Sequence, residues 1–190
     1  MGHSQADKAL THQRIVEIAA RRFREKGLDG IGVADLMKEA GLTVGGFYKH
    51  FASRDALVAE AVAAARSAWY DDAKAAEEGG PPLELDKMID GYLSTAHRDA
   101  EGTGCVFSAL APDIARNGEA TRAAALEQWA FNVGLIATLM ASGDDADRRS
   151  RAILASCAMV GAVALARVAR GTPQSQEILD TVKERLKELC

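Results

Sequence analysis

Apolar positions in the first sixty residues recur at helical spacing. Ile15, Ile18, Ala19 and Phe23 follow one another at i, i+3, i+4 and i+8, which places them on one face of an α-helix. The pattern predicts a first helix over 11–26, with Thr11 capping its start and Gly27 ending it. Val33, Leu36, Met37 and Ala40 repeat the spacing over a short second helix stopped at Gly41. Val44, Phe47, Tyr48 and Phe51 repeat it again, opened by Thr43. Ser53 stands where it can cap a long fourth helix running from 54 to about 76. Asp55, in the first turn, suits the positive end of that helix's dipole.

The clearest interruption is EEGGPP, residues 77–82. Beyond it the pattern predicts helices at about 83–99, 106–117, 119–141, 145–170 and 174–188. Asn117-Gly118, Ser142-Gly143 and Gly171-Thr172-Pro173 mark the connections, and Pro112 is expected to kink or split the second of these helices. Four prolines and few β-branched runs leave little room for strands. The expected fold is all-α, with about nine helices. The functional boundary is placed near residue 60 rather than at EEGGPP, because the fourth helix is expected to belong to both parts. That gives a three-helix domain over 1–60 and a larger helical domain over 61–190.

Composition narrows the choice of partners. The chain has 190 residues, 48% hydrophobic, which suits a globular fold with a core, and its net charge of −4 excludes a polybasic nucleic-acid binder. The charge is uneven: residues 1–60 hold nine basic and eight acidic side chains, and the rest hold fourteen and nineteen. An anionic partner would meet the N-terminal part first. No apolar run approaches the roughly 20 uncharged residues of a membrane span, and MGHSQADK does not read as a secretory signal. Cys105, Cys157 and Cys190 are odd in number and widely spaced, which suits neither a disulfide framework nor a zinc site. A cytoplasmic location is expected, with no membrane partner. His3, His12, His50 and His97 form no metal pair, and Gly-Gly-Pro-Pro lacks the ending of a phosphate loop. No metal, no cofactor and no enzymatic activity are expected.

The stretch GLTVGGFYKHFASRDALV carries the most chemistry. Two short helices joined by Gly41-Leu42-Thr43 fit a helix-turn-helix whose second helix enters the DNA major groove. Phe47 and Phe51 would anchor that helix, leaving Val44, Gly45, Gly46, Lys49 and His50 on the opposite side. Each glycine in a helix interior costs about 1 kcal/mol against alanine, but a bare backbone can approach DNA closely. Tyr48, Lys49, His50 and Arg54 offer donors to phosphate oxygens. The same residues also fit a three-helix core in which the glycines only allow close helix packing, and periodicity does not separate the two.

Residues 11–60 resemble the DNA-binding domain of the TetR family of bacterial transcriptional regulators. The resemblance rests on RIVEIAARRFREKG, VADLMKEAGLTVGGFYKHF and SRDALV, without a gap. The remaining residues resemble the family in their helical plan and in GCVFSALAPDIAR. The resemblance implies that 44–50 is the recognition helix, opened at Thr43, with Val33 and Ala34 facing the same groove. It implies that Tyr48, His50 and Arg54 touch phosphates. Three positions depart from the family pattern: Val44 where Lys or a polar residue is frequent, Gly46 where Thr is frequent, and Gly32 in place of a Ser/Thr cap. Base reading then falls to Val44 against a thymine methyl and Lys49 against a guanine edge.

The function so implied is that of a repressor that binds a palindromic operator in double-stranded DNA as a homodimer and is released by a small-molecule effector. Similar proteins dimerise through their last two helices. Ala155, Ala158, Gly161, Ala162 and Leu165 offer a small-residue surface, and Ile178, Leu179, Val182, Leu186 and Leu189 an apolar stripe. Ala158, Gly161, Ala162, Leu165, Ile178, Val182 and Leu186 are the interface candidates; the alternative is that both stripes are core within one chain, but a terminal helix with an apolar stripe favours a partner from a second copy. Similar proteins hold the effector between central helices. Trp69, Met88, Tyr92, Phe107, Trp129 and Phe131 are the lining candidates, with His97, Cys105 and Met140 nearby, and such a lining suits an apolar or aromatic molecule. The fourth helix is expected to relay the signal. A competing class is a thiol-based redox or electrophile sensor acting through Cys105, although Gly104 and Val106 supply it neither charge nor base.

Overall fold

Gly27 and Gly41 take φ values of +80° and +70°, the left-handed conformation that ends an α-helix and that glycine adopts without strain. They close α1 (Gln5–Lys26) and, after Ala40, α2 (Val33–Glu39). The computed structural model describes residues 5–66 and 68–189, with Ala68 described by its backbone alone. His3 and Cys190 lie outside the described residues. α1 is already helical at Gln5, the first described residue, ahead of the expected Thr11. The Thr11 hydroxyl donates to the Asp7 carbonyl at 2.8 Å, so it bonds back within the helix instead of capping it.

The segment Val44–Lys49 is a 3-10 helix rather than an α-helix, with the Gly46 amide donating to the Thr43 carbonyl and the His50 amide to that of Phe47. Ser53 caps α3 (Arg54–Ala64) as expected, its hydroxyl accepting from the Ala56 amide at 3.1 Å. The fourth helix does not run on to 76. The Gln128 side-chain amide donates to the carbonyls of Val62 at 2.5 Å and Ala63 at 2.9 Å. Those acceptors would otherwise serve the next turn, and Ala65 leaves helical geometry with ψ 46°. The chain resumes as α4 (Ala68–Glu77).

The predicted helix 83–99 is also two: α5 (Leu85–Tyr92) and α6 (Thr95–Asp99). Ser94 separates them, its hydroxyl accepting from the His97 amide at 3.1 Å. Pro112 does not split α7 (Val106–Arg116). α8 (Glu119–Leu139), α9 (Asp145–Val168) and α10 (Pro173–Leu189) complete the chain. Among the described residues there are therefore ten α-helices and one 3-10 helix, and no strand.

Two cores organise these elements. The first joins Ile15, Phe23, Leu36, Phe47 and Leu57 to Val106, Leu110 and Ile114 of α7 and Ala125 of α8. The N-terminal helices thus share their core with the following part of the chain. The second joins Ile89 and Leu93 to Val133, Ile136, Met159, Val163, Leu179 and Leu186. α9 is long and apolar enough to cross a membrane by length and composition alone, although its uncharged run is only 152–166. One face of it, including Ala155, Met159, Ala162 and Ala166, is buried in the second core.

Phe47 ties the 3-10 helix to the first core: it is 2% exposed and its ring lies 5.4 Å from that of Phe51. Phe47→Ala is expected to lower unfolding stability by about 3–5 kcal/mol, read by urea titration. A loss below about 1 kcal/mol would show that the short helix is held by something else.

Candidate nucleic-acid interface and central cavity

The 3-10 helix buries Phe47 and turns its other side outward. Tyr48 is 77% exposed and Val44 49%. Ala34, Thr43, Gly45 and Lys49 are exposed, while Val33, Gly46, His50 and Arg54 are half-buried. A Cβ placed on Gly45 would meet nothing within 4 Å, and one on Gly46 would touch only the Met37 methyl at 3.6 Å, an ordinary contact. Neither glycine has a positive φ. Neither packing inside the chain nor backbone conformation requires glycine at these two positions.

Beside the bare face runs a groove of about 550 Å³. One wall is Thr43, Gly46, Lys49 and His50, and the other is Asp7, Lys8 and Thr11 of the early turns of α1. His50 is held below the usual histidine pKa, first by burial and then by the charges of His12, Lys8 and Lys49. That shift favours the neutral ring at pH 7. His12, which no spacing singled out, stacks on Phe51 at 4.4 Å and places a ring nitrogen 2.6 Å from a Glu60 carboxylate oxygen.

Arg54 is engaged inside the chain. Its guanidinium donates to the Leu28 carbonyl, lies 3.7 Å from an Asp29 carboxylate oxygen and sits 5.8 Å from the Phe23 ring centroid. It latches the α1–α2 connection onto the start of α3.

The six lining candidates fall in three places. Trp69, Met88 and Tyr92 share a cleft of about 500 Å³ with His97, Gly104 and Cys105. Phe131 stands 5.0 Å from Tyr70 in a smaller one of about 280 Å³. Phe107 and Trp129 line a third of about 370 Å³, and Met140 is buried in the second core. In the first cleft the Tyr92 ring lies 5.2 Å from Trp69 and 4.4 Å from His97. The His97 Nε2 atom accepts from the Cys105 backbone N–H at 3.0 Å, and Nδ1 lies 2.7 Å from the Tyr92 carbonyl. An amide N–H only donates and a carbonyl only accepts, so the proton sits on Nδ1 and the ring is neutral. Burial, aided by Arg167, lowers the His97 pKa in the same sense, against the pull of the Tyr92 carbonyl.

The loop 100–105 touches both cleft and N-terminal helices. Arg24 of α1 donates to the Gly102 carbonyl at 2.7 Å. On the other side Arg167 of α9 donates to the Arg98 carbonyl at 2.9 Å. A Cβ on Gly104 would lie 2.7 Å from the Ala100 carbonyl oxygen and 2.9 Å from an Arg167 nitrogen, so the loop has no slack there. Arg24, bonded to Gly102, and Arg167, beside Gly104, bring to the surroundings of Cys105 charges that its sequence neighbours do not supply.

Of the interface candidates, Ala162 and Leu186 are each 3% exposed, buried within the chain itself. Ala158, Gly161, Ile178 and Val182 are half-buried, and Leu165 is 58% exposed. Leu154 (55%), Val168 (86%) and the exposed Cys157 extend the Leu165 strip along α9 at steps of three and eight residues, which keep them on one side of the helix. That spacing was present in the sequence, but which of two apolar faces stays open depends on where α8 and α10 pack.

Residues 15–61 match the family described as bacterial regulatory proteins, tetR family. The chain is 29% identical over 104 residues to the uncharacterized HTH-type transcriptional regulator YvdT of Bacillus subtilis (strain 168). That alignment covers 54% of this chain and 54% of the relative, so the chain spans about half the length of the curated protein it matches. Three solved structures share the fold. The reduced form of E. coli NemR is 18% identical, with 94% of this chain and 95% of that one covered at a TM-score of 0.75. A TetR regulator from Chloroflexus aurantiacus J-10-FL is 23% identical, with 97% and 96% covered at 0.74. A TetR-family regulator from Cytophaga hutchinsonii is 23% identical, with 100% and 96% covered at 0.73.

Because nothing inside the chain asks for glycine at 45 or 46, Gly45→Ala and Gly46→Ala are each expected to raise unfolding stability by about 0.4–1 kcal/mol. Urea titration checks this, and a loss of stability in both variants would reveal an internal constraint on the bare face.

Proposed function

Because residues 15–61 match the family described as bacterial regulatory proteins, tetR family, we propose that the chain is a cytoplasmic transcriptional repressor. It binds a palindromic operator as a homodimer and releases it when a small apolar or aromatic effector enters the cleft at Trp69, Met88 and Tyr92. The observation that carries the DNA-binding reading is the pair Gly45-Gly46, which costs helix stability and has no internal use. An external backbone approach is the remaining use for it. In the major groove Val44 would meet a thymine methyl and Lys49 a guanine edge. Thr43 and Tyr48 would hold phosphates, and Val33 and Ala34 would flank the same groove. Arg54 would act chiefly by latching the reading head, and His50 as a neutral donor. The test is operator affinity of Gly45→Ala: binding about tenfold weaker or worse (1.4 kcal/mol) at undiminished fold stability supports the reading, and unchanged affinity contradicts it.

The homodimer is supported by the strip Leu154, Leu165 and Val168, exposed on a helix whose opposite face is core. An apolar strip of this kind marks an interaction surface. A second copy would cover it, with Ala158, Gly161, Ile178 and Val182 at its edges. Leu165→Glu is expected to give a monomer by light scattering and to lose tight operator binding with residues 5–60 still folded. A stable dimer of that variant would place the interface elsewhere.

Signal relay is proposed through the loop 100–105, which the cleft residues His97 and Cys105 bracket and to which Arg24 is bonded. An effector shifts the balance only by its difference in affinity for the two states. A second reading, a thiol sensor at Cys105, is favoured by the nearness of that half-buried sulfur to Arg24 and Arg167. It is also favoured by the likeness to a protein solved in a reduced form. Cys105→Ser separates the two. Continued operator binding and release by effector support the cleft, whereas intact binding with loss of a response that thiol reductants reverse supports the sensor.

A further inference from the structure

Among the described residues that line the cleft, the Tyr92 hydroxyl is the buried side-chain polar group left without a hydrogen-bond partner. Tyr92 is 8% exposed, it lines the cleft, and its oxygen is buried without a hydrogen-bond partner. The Cys105 sulfur approaches it but does not complete a hydrogen bond. A buried hydroxyl left unpaired costs about 1–3 kcal/mol, and such groups are paired in the great majority of folded proteins. We infer that the effector is a neutral aromatic molecule whose carbonyl-type oxygen accepts the Tyr92 hydroxyl proton. This rests on the reading of the cleft as the effector site and adds the chemistry of what fills it.

Three features fix that class. The hydroxyl is a donor: burial, with Cys105 beside it, pushes its pKa well above the usual tyrosine value, so it stays protonated. Trp69 and Met88, which line the cleft beside Tyr92, suit an aromatic body. Charge disfavours an anion. The ionisable lining residues besides Tyr92, Cys105 and His97 are Asp72, Glu84 and Lys87. Lys87 is committed to Glu84 at 2.7 Å, and His97 is neutral with both nitrogens occupied. Arg167 is behind the loop, bonded to the Arg98 carbonyl and at 3.2 Å to the Ser108 hydroxyl. Among the described lining residues a carboxylate would find no unpaired cation, and Arg167, although its charge reaches Tyr92, has its N–H groups turned to the Arg98 carbonyl and the Ser108 hydroxyl, whereas a ketone, quinone or ester oxygen needs only the hydroxyl.

The test uses the full chain and three probes of nearly equal size: acetophenone, ethylbenzene and benzoate, titrated by calorimetry. In the wild type, acetophenone is expected to bind about five- to tenfold more tightly than ethylbenzene, and benzoate to bind more weakly than acetophenone. Tyr92→Phe keeps the ring and its stacking, and it should bring the acetophenone-to-ethylbenzene ratio to near one at an unchanged melting temperature. The wild-type ratio is informative even where the variant is unstable. If both aromatic probes bind the wild type equally, or the preference survives in Tyr92→Phe, the hydroxyl assignment is overturned while the cleft remains a binding site. Preferred binding of benzoate overturns the neutral class. If none of the three binds, the reading of the cleft fails together with the inference.

Discussion

The burial of Phe47 and Phe51 is the constraint on which the N-terminal face depends. A six-residue 3-10 helix containing two adjacent glycines has little stability of its own. Its place is set by the two aromatic rings, 5.4 Å apart, that enter the core formed by α1, α2 and α3. Because the rings fix the helix from behind, the front needs no side chains. The outcome is a short backbone segment presented at a defined angle, with Tyr48 and Lys49 at its margin. The core beneath continues into α7 and α8, so a shift in those helices reaches the presenting face through packed side chains.

That continuity gives the cleft a physical route to the face. His97 and Cys105 line the cleft, while Gly102, three residues before Cys105, receives Arg24 of α1. Asp113 of α7 adds a second tie, accepting from the Leu28 amide at 3.2 Å. Arg54 completes the set by bonding the Leu28 carbonyl from the start of α3. The connection between α1 and α2 is thus gripped at both its amide and its carbonyl by residues from two other helices. Through that joint a movement of α7 would be passed to the start of α3.

Much of the fold was legible in the sequence because its signals are local. The 3.6-residue period located the helices, Gly27 and Gly41 ended two of them, and Ser53 capped another. Ser94 was an equally local signal, and reading it would have divided α5 from α6. What was not legible depends on distant partners. At the end of α3, Gln128, far along the chain, satisfies the Val62 and Ala63 carbonyls. The role of Arg54 is set by Leu28, and the surroundings of Cys105 by Arg24 and Arg167. Composition identified the aromatic residues able to line a cavity, but their division among three sites follows from helix packing. Ala162 and Leu186 illustrate the same point on α9 and α10: a stripe of apolar residues does not say which side the chain itself will cover.

The claim that joins these features is that the bare face reads duplex DNA in two symmetric copies. Selection of the purified chain against a random-sequence duplex pool tests it most directly. The account predicts enrichment of an inverted repeat whose half-sites lie about one helical turn, 34–36 Å, apart, with affinity that falls steeply with salt. Failure to enrich any sequence over the starting pool, or enrichment of a single asymmetric site bound by one chain, would contradict it.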